Sequence, residues 1–84
     1  MYQVLLRPAA QRDLKKLPKR VFARISEELG RLSDNPRPRG VKKLTGQENE
    51  WRLRTGDYRI LYEISDSERV VRIFRIAHRR EAYH

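Results

Sequence analysis

The stretch from Glu50 to Ile64 alternates apolar and charged side chains on either side of a Thr-Gly-Asp break. Period-two alternation around a Gly-Asp turn predicts an antiparallel hairpin with one buried face. A slip of one residue would expose Trp51 and bury arginines, so burial selects a single register. The side chains predicted to face the core are Trp51, Leu53, Ile60, Tyr62 and Ile64, and those on the opposite face are Arg52, Arg54 and Arg59. Permanent cations on a rigid sheet surface are suited to holding phosphate.

The segments on either side of the hairpin predict one α+β domain over residues 1–84. Apolar residues at spacings of three and four, interrupted at Pro18, predict two helical segments that form a helical hairpin. The predicted order is a strand at 2–7, helical segments at 9–17 and 19–32, a short strand at 41–44, the hairpin, and a strand at 69–77. The expected fold is an N-terminal strand, the helices and a three- to four-stranded antiparallel sheet, with the helices on one face and the arginines on the open face.

The charge balance indicates the class of partner. Lys and Arg number 20 against 11 Asp and Glu, a formal net charge of +9. Such a chain is expected to bind a polyanion: nucleic acid first, then an acidic protein, then an anionic membrane. The absence of Cys excludes a disulfide framework, a thiol nucleophile and a Cys-based metal site. No apolar run reaches the ~18 residues of a membrane span and no signal-peptide pattern opens the chain, so a cytoplasmic location is expected.

Three segments together resemble the RelE/ParE superfamily of toxins from bacterial and archaeal toxin–antitoxin modules. They are RPAAQRDLKKLP near the start, KKLTG followed by WRLRTGDYRILYEI in the middle, and VVRIFRIAHRREAY at the end. The resemblance covers almost the whole chain. Its most specific part is the pair formed by the Gly-Asp-Tyr-Arg hairpin and the His-Arg-Arg-Glu-x-Tyr tail. The arginines and the tail tyrosine resemble the RelE branch, which cleaves messenger RNA, more than the ParE branch, which inhibits DNA gyrase.

The resemblance implies a RelE-like microbial RNase fold and a ribosome-dependent mRNA endonuclease, an mRNA interferase that needs no metal or other cofactor. In that reaction the ribose 2′-OH attacks the adjacent phosphate and leaves a cyclic phosphate. Arg59 would clamp the scissile phosphate, Arg79 would stabilise its added charge, and Tyr83 would stack on a base or assist proton transfer. The resemblance also implies Arg52 in the catalytic group, and the predicted RNA contacts are Arg54, Lys42, Lys43 and Arg80. The implied partners are the ribosomal A site, mRNA and an acidic RelB-like antitoxin in a toxin–antitoxin hetero-oligomer.

One position departs from the RelE pattern, which has a lysine two residues before Arg52 where this chain has Glu50. A lysine can lose its proton and act as a base, whereas an arginine effectively cannot. His78 is the predicted substitute, because imidazole exchanges protons near neutral pH, and Glu50 is the second candidate. Metal catalysis is not expected, since the chain has only two His and no paired carboxylate spacing.

Plainer interpretations of the same residues stay open. Arg52 and Arg54 are compatible with a solvated strand face, and Arg59 with an ion pair to Glu63. His78 is compatible with an ordinary surface histidine, and Tyr83 with a residue that caps the sheet edge. The alternative functions are a ParE-like inhibitor of DNA gyrase, a catalytically degenerate toxin that acts by binding only, and a basic nucleic-acid-binding module.

Overall fold

The structure is a computed structural model that describes residues 1–44, 46 and 49–80. Its strands are β1 (Gln3–Leu6), β2 (Lys42–Lys43), β3 (Glu50–Thr55), β4 (Tyr58–Ser65) and β5 (Val70–His78), and its helices are α1 (Pro8–Lys15) and α2 (Lys19–Asp34). The predicted element order is confirmed. Within these described ranges, no helix has the length and apolar character needed to cross a membrane.

The strands form one sheet in the order β1-β5-β4-β3-β2. The pairs from β2 to β5 are antiparallel, as the sequence predicts. β1 adds a fifth strand, parallel to β5, so the sheet is mixed and has one strand more than the predicted antiparallel set. Parallel neighbours need a long connection. Here the helices and the other three strands supply it, and the first strand lies beside the last.

The helices pack on one face of the sheet. Ile25, Leu29 and Leu32 recur at spacings of four and three along α2 and are buried. Their buried partners in the same cluster are Ala10 of α1 and the strand residues Leu53, Ile60, Tyr62, Ile64, Val71, Ile73 and Ile76. The helices therefore cover the side of the β3–β4 hairpin that carries Leu53 and Ile60.

Two prolines set the helix boundaries. Pro8 lies in the first turn of α1, where its missing N–H would have no partner within the helix. Pro18 has an extended backbone, with φ −56° and ψ 150°, directly before α2. Proline also disfavours a helical conformation in the residue before it. The break predicted at Pro18 is therefore confirmed, with one helix ending at Lys15 and the next beginning at Lys19.

A single carboxylate ties α1 to β5. The register between β4 and β5 shifts after Leu61, so that Phe74 is skipped as in a β-bulge. Beside this irregularity Asp13 accepts a hydrogen bond from the Ile76 N–H at 2.9 Å. The same carboxylate accepts from Arg75 Nε at 2.7 Å. Asp13 thus satisfies a backbone donor of β5 and fixes where α1 sits.

Candidate nucleic-acid interface

The β3–β4 hairpin has the register that burial predicts. Residues directly opposite each other in an antiparallel pair share a face. The pairs on the helix-covered face are Trp51–Tyr62 and Leu53–Ile60, and those on the other face are Arg52–Leu61 and Arg54–Arg59. The sheet surface that carries Arg52, Arg54 and Arg59 is called the arginine face below.

The turn between the two strands, Gly56–Asp57, fixes this register. Gly56 has a φ of +60°, and Asp57 does not have a positive φ. These values match a type II′ turn, which has glycine at its first central position. The guanidinium of Arg24 packs against the turn from α2. A Cβ added at Gly56 would lie 2.7 Å from Arg24 Nη1. The positive φ therefore favours glycine here, whereas the exposed end of the Arg24 side chain can shift to make room.

The three arginines of the arginine face differ in exposure. Arg54 on β3 is exposed and Arg52 is half-buried, whereas Arg59 is only 3% exposed. β4 is the middle strand of the sheet, so a side chain on it has neighbours on both sides. Arg59 Nη1 lies 3.5 Å from its hydrogen-bond acceptor, the Tyr58 carbonyl oxygen. The expectation of an open face thus holds for Arg54 and is wrong for Arg59, which lies on the expected face but is covered.

The short strand β2 places one of its two lysines on the arginine face. Lys42 pairs with Arg52 and shares its face, whereas Lys43 pairs with Trp51 and belongs to the opposite one. Both lysines are exposed. The structure therefore brings Lys42 together with Arg52 and separates Lys43 from them.

Arg79 lies at the end of the arginine face. Its backbone N–H donates to the Asp57 carbonyl oxygen at 2.6 Å, so pairing with the hairpin continues one step past β5. Its Nη1 lies 3.8 Å from Asp57 Oδ1. Ala77 is the direct partner of Arg59, and Arg79 follows two positions later on the same side by strand alternation. Diagonal neighbours of this kind are about 7–8 Å apart, so the two arginines start from adjacent positions on the sheet.

His78 borders two concavities. It pairs with Tyr58, and the two rings meet edge to face with centroids 5.2 Å apart. On this helix-covered side it lines a cavity of about 130 Å³ together with Lys16. At the end of the sheet it also borders a shallow concavity of about 590 Å³ with Asp57, Arg79 and Arg80. Strand alternation puts His78 on the side away from Arg59, and its role as a proton acceptor stays a prediction.

Two carboxylates, those of Glu50 and Glu63, lie at the end of the arginine face away from Arg79. Glu63 pairs with Glu50 across the hairpin. Glu63 Oε1 accepts a hydrogen bond from Arg7 Nη2 at 3.0 Å and lies 3.8 Å from Arg72 Nη1. An ion pair between Glu63 and Arg59, the plainer interpretation of Arg59, would therefore compete with Arg7 and Arg72 for the Glu63 carboxylate. Glu50 lies on the arginine face, as a residue two positions before Arg52 must.

Arg37, in the basic loop after α2, is a cation that contacts other residues of the protein and lies apart from the arginine face. Its two terminal nitrogens donate to both oxygens of Asp66, at 3.2 and 2.9 Å. The guanidinium carbon also lies 5.2 Å from the centre of the Trp51 ring. Hydrogen bonds from Arg37 and then from Tyr2 lower the pKa of Asp66 to about 2. This cation is thus engaged within the protein, away from the end of the sheet where Arg79 lies.

One predicted site residue, Tyr83, lies outside the residues that the structure describes, and one residue of the site, Asp57, was not predicted. Asp57 contacts Arg79 through both its backbone and its side chain, yet its pattern in the sequence is only that of a turn residue after glycine. The one available signal was its place in the same short motif as Arg59.

The fold and the cationic sheet belong to a known class of small proteins. The family model described as the ParE toxin of type II toxin–antitoxin systems, parDE, matches residues 4–83. The chain therefore belongs to this toxin family. Because the model spans almost the whole chain, both the helices and the arginine face lie inside the match.

Individual relatives place the chain in the RelE-like branch of the RelE/ParE superfamily. It is 37% identical to toxin RelG of Mycobacterium tuberculosis over 83 residues, covering 98% of this chain and 95% of that protein. It is 36% identical to toxin RelE of the same organism, covering 98% and 86%. The family model is named after the ParE toxin, whereas the two relatives are named RelG and RelE. The relatives compare individual sequences over nearly their full length, so they decide the branch.

Solved structures confirm the fold. The RelBE2 toxin–antitoxin complex from Mycobacterium tuberculosis matches with a TM-score of 0.81 and 39% identity, covering 92% of this chain and 96% of that chain. The archaeal RelE–RelB complex from Pyrococcus horikoshii matches with a TM-score of 0.83 and 31% identity, covering 93% and 94%.

Proposed function

We propose that this toxin is a ribosome-dependent mRNA endonuclease of the RelE type. The observation that supports the proposal best is the hairpin register. It gathers Arg52, Arg54 and Arg59 on one sheet surface, with Arg79 fastened at the end of that surface. Such a set of guanidinium groups suits phosphate, because each planar guanidinium can donate hydrogen bonds to two phosphate oxygens at once.

The reaction proposed for this surface is attack of a ribose 2′-OH on the adjacent phosphate. The phosphorus gains a bond to the 2′ oxygen and loses the bond to the 5′ oxygen of the next nucleotide, which leaves a cyclic phosphate. Negative charge builds on the phosphate oxygens during this step, and fixed guanidinium groups stabilise it. Arg59 and Arg79 are the proposed phosphate ligands. Glu50 and His78 are the proposed candidates for the group that accepts the 2′-OH proton.

An antitoxin is the proposed protein partner. The two solved relatives described above are complexes of RelE-type toxins with RelB-type antitoxins. A RelB-like acidic protein would complement the net charge of +9. We propose that it holds this toxin inactive in a hetero-oligomer, and that both act in the cytoplasm, where ribosomes and mRNA are found.

Loss of the phosphate ligands is the test of this function. We expect Arg59→Ala and Arg79→Ala each to reduce mRNA cleavage in ribosomes about 100- to 1,000-fold, the effect of removing one preorganised donor to the transition state. The double variant should neither cleave mRNA nor arrest growth. Cleavage is measured by primer extension in a translation extract.

The matched control is Arg31→Ala, which removes an exposed arginine of α2 that is paired with Glu27 and Glu28. This variant should cleave like the unmodified toxin. Thermal unfolding of every variant separates loss of chemistry from loss of fold, which matters because Arg59 is buried. Full toxicity of the folded double variant would show that the phosphate ligands are elsewhere.

The second candidate function is inhibition of DNA gyrase, and the description of the matching family model as a ParE toxin favours it. It requires binding but no cleavage chemistry. A gyrase supercoiling assay run beside the translation extract separates the two candidates. Inhibited supercoiling together with intact mRNA would replace the nuclease by this function.

A further inference from the structure

Arg79 is held in place by a residue with no assigned role. The hairpin turn contacts it twice: the Asp57 carbonyl oxygen accepts its backbone N–H at 2.6 Å, and the Asp57 carboxylate lies 3.8 Å from its Nη1. The next residue is held as well, because the Arg80 N–H donates to His78 Nδ1 at 3.3 Å. Two successive residues past β5 are therefore fastened to the end of the sheet.

Stability does not explain the carboxylate of Asp57. The side chains of Arg79 and Asp57 are 58% and 65% exposed, and exposed ion pairs contribute little to folding. Turn formation does not explain it either. Asn suits the central positions of tight hairpin turns as well as Asp does, so a carboxylate is not needed for the backbone. What the carboxylate does supply is a negative group at one edge of the Arg79 guanidinium.

We propose that Asp57 is a positioning residue for Arg79, an inference that rests on the nuclease function proposed above. A guanidinium has five N–H donors in a rigid planar fork. A carboxylate at Nη1 restricts the rotation of that fork and leaves its other donors available to a phosphate at the end of the arginine face. Asp57 would thus act in the cleavage step through Arg79 and would not touch the RNA itself.

The proposal predicts how kinetic constants change when only the carboxylate is removed. Asp57→Asn keeps the size of the side chain and its turn preference. We expect roughly a five-fold fall in kcat on programmed ribosomes, the upper range for one exposed ion pair, with KM changed less than two-fold. Asp57→Glu should recover part of the loss. The control is Glu68→Gln, which removes the exposed partner of Arg72, 3.2 Å away, and should leave kcat unchanged.

A double-mutant cycle tests whether the effect passes through Arg79. In an Arg79→Lys background, which has lost the planar fork, Asp57→Asn should change kcat less than two-fold, because the positioned group is already gone. An equal five-fold fall in both backgrounds would overturn the proposal, since Asp57 would then act independently of Arg79. An unchanged kcat for Asp57→Asn alone would overturn it as well.

A second measurement does not depend on cleavage. In the free toxin, the ¹H–¹⁵N heteronuclear NOE of the Arg79 Nε–H should fall in Asp57→Asn and stay unchanged in Glu68→Gln. If the unmodified toxin does not cleave mRNA while this NOE responds, the nuclease function fails and the positioning of Arg79 is supported. If the NOE is the same in Asp57→Asn and the unmodified toxin, the positioning proposal fails whatever the cleavage assay gives.

Discussion

Tyr62 connects the sheet to the loop after α2. Its side chain is fully buried on β4, and its hydroxyl donates to the carbonyl oxygen of the buried Pro36 at 2.7 Å. Burial raises the pKa of this hydroxyl, so it remains a donor over the whole useful pH range. Tyr62→Phe keeps the ring and removes the hydroxyl that donates to the oxygen of the buried Pro36.

We therefore expect Tyr62→Phe to lower the free energy of unfolding by about 1–3 kcal/mol, measured by urea denaturation. Tyr2→Phe is the matched control, because its hydroxyl donates to Asp66 in an exposed position at 2.6 Å and water can replace that bond. A loss for Tyr62→Phe no larger than for Tyr2→Phe would mean that the buried bond is not a net stabiliser.

At the same scale, the sequence predicted which side each arginine occupies but not how deep it lies. Period-two alternation and the cost of burying charge were enough to place Arg54 and Arg59 on the same face. Depth depends on neighbours distant in sequence. Arg59 on β4 is covered whereas Arg54 on β3 is exposed, a difference that the alternation of the two strands does not encode. The part played by Asp57 was likewise hidden, because an Asp after a turn glycine already has a sufficient local explanation.

Among the elements, α1 is held to the sheet by a specific polar contact. It is short, and Ala10 is its only fully buried residue in the described structure. The carboxylate of Asp13 holds it to β5 through the Ile76 N–H and the Arg75 side chain. Sequence periodicity predicted that α1 exists, yet not where it docks. The Asp13 contact lies beside the bulge in β5, a feature with no signature in the strand's apolar pattern.

Removal of this carboxylate should loosen α1 selectively. We expect Asp13→Ala to cost about 2–3 kcal/mol of unfolding free energy, since it leaves the Ile76 N–H without its charged acceptor. Amide hydrogen exchange at Ile76 should accelerate by more than exchange in the β3–β4 hairpin. Glu27→Ala removes an exposed pair on α2 and should cost less than about 0.5 kcal/mol. Equal effects of the two variants would show that the Asp13 contact does not determine docking.

The whole molecule is electrostatically uneven. Besides the arginine face it has an exposed cluster at the α1–α2 junction, here called the helix elbow, made of Arg12, Lys15, Lys16, Lys19, Arg20 and Arg24. Within the part of the chain that the structure describes, none of these six forms an ion pair. Glu27 and Glu28 of α2 instead pair with Arg31, nearer the other end of the helix. The composition predicted a polyanionic partner, but only the fold shows that these two cation clusters occupy separate surfaces.

The salt dependence of RNA binding can show which of these two surfaces contacts RNA. Each phosphate contact to single-stranded RNA releases counterions and contributes about 0.7 to the slope of log K against log salt concentration. If RNA lies on the arginine face, Arg54→Gln should make that slope shallower by about 0.7 for a short RNA oligonucleotide, measured by fluorescence anisotropy. Lys19→Gln removes the same charge from the helix elbow and should leave the slope unchanged, because long-range attraction without contact releases no bound counterion. The reverse result would place the RNA on the helices and would leave the arginine face without a role in binding.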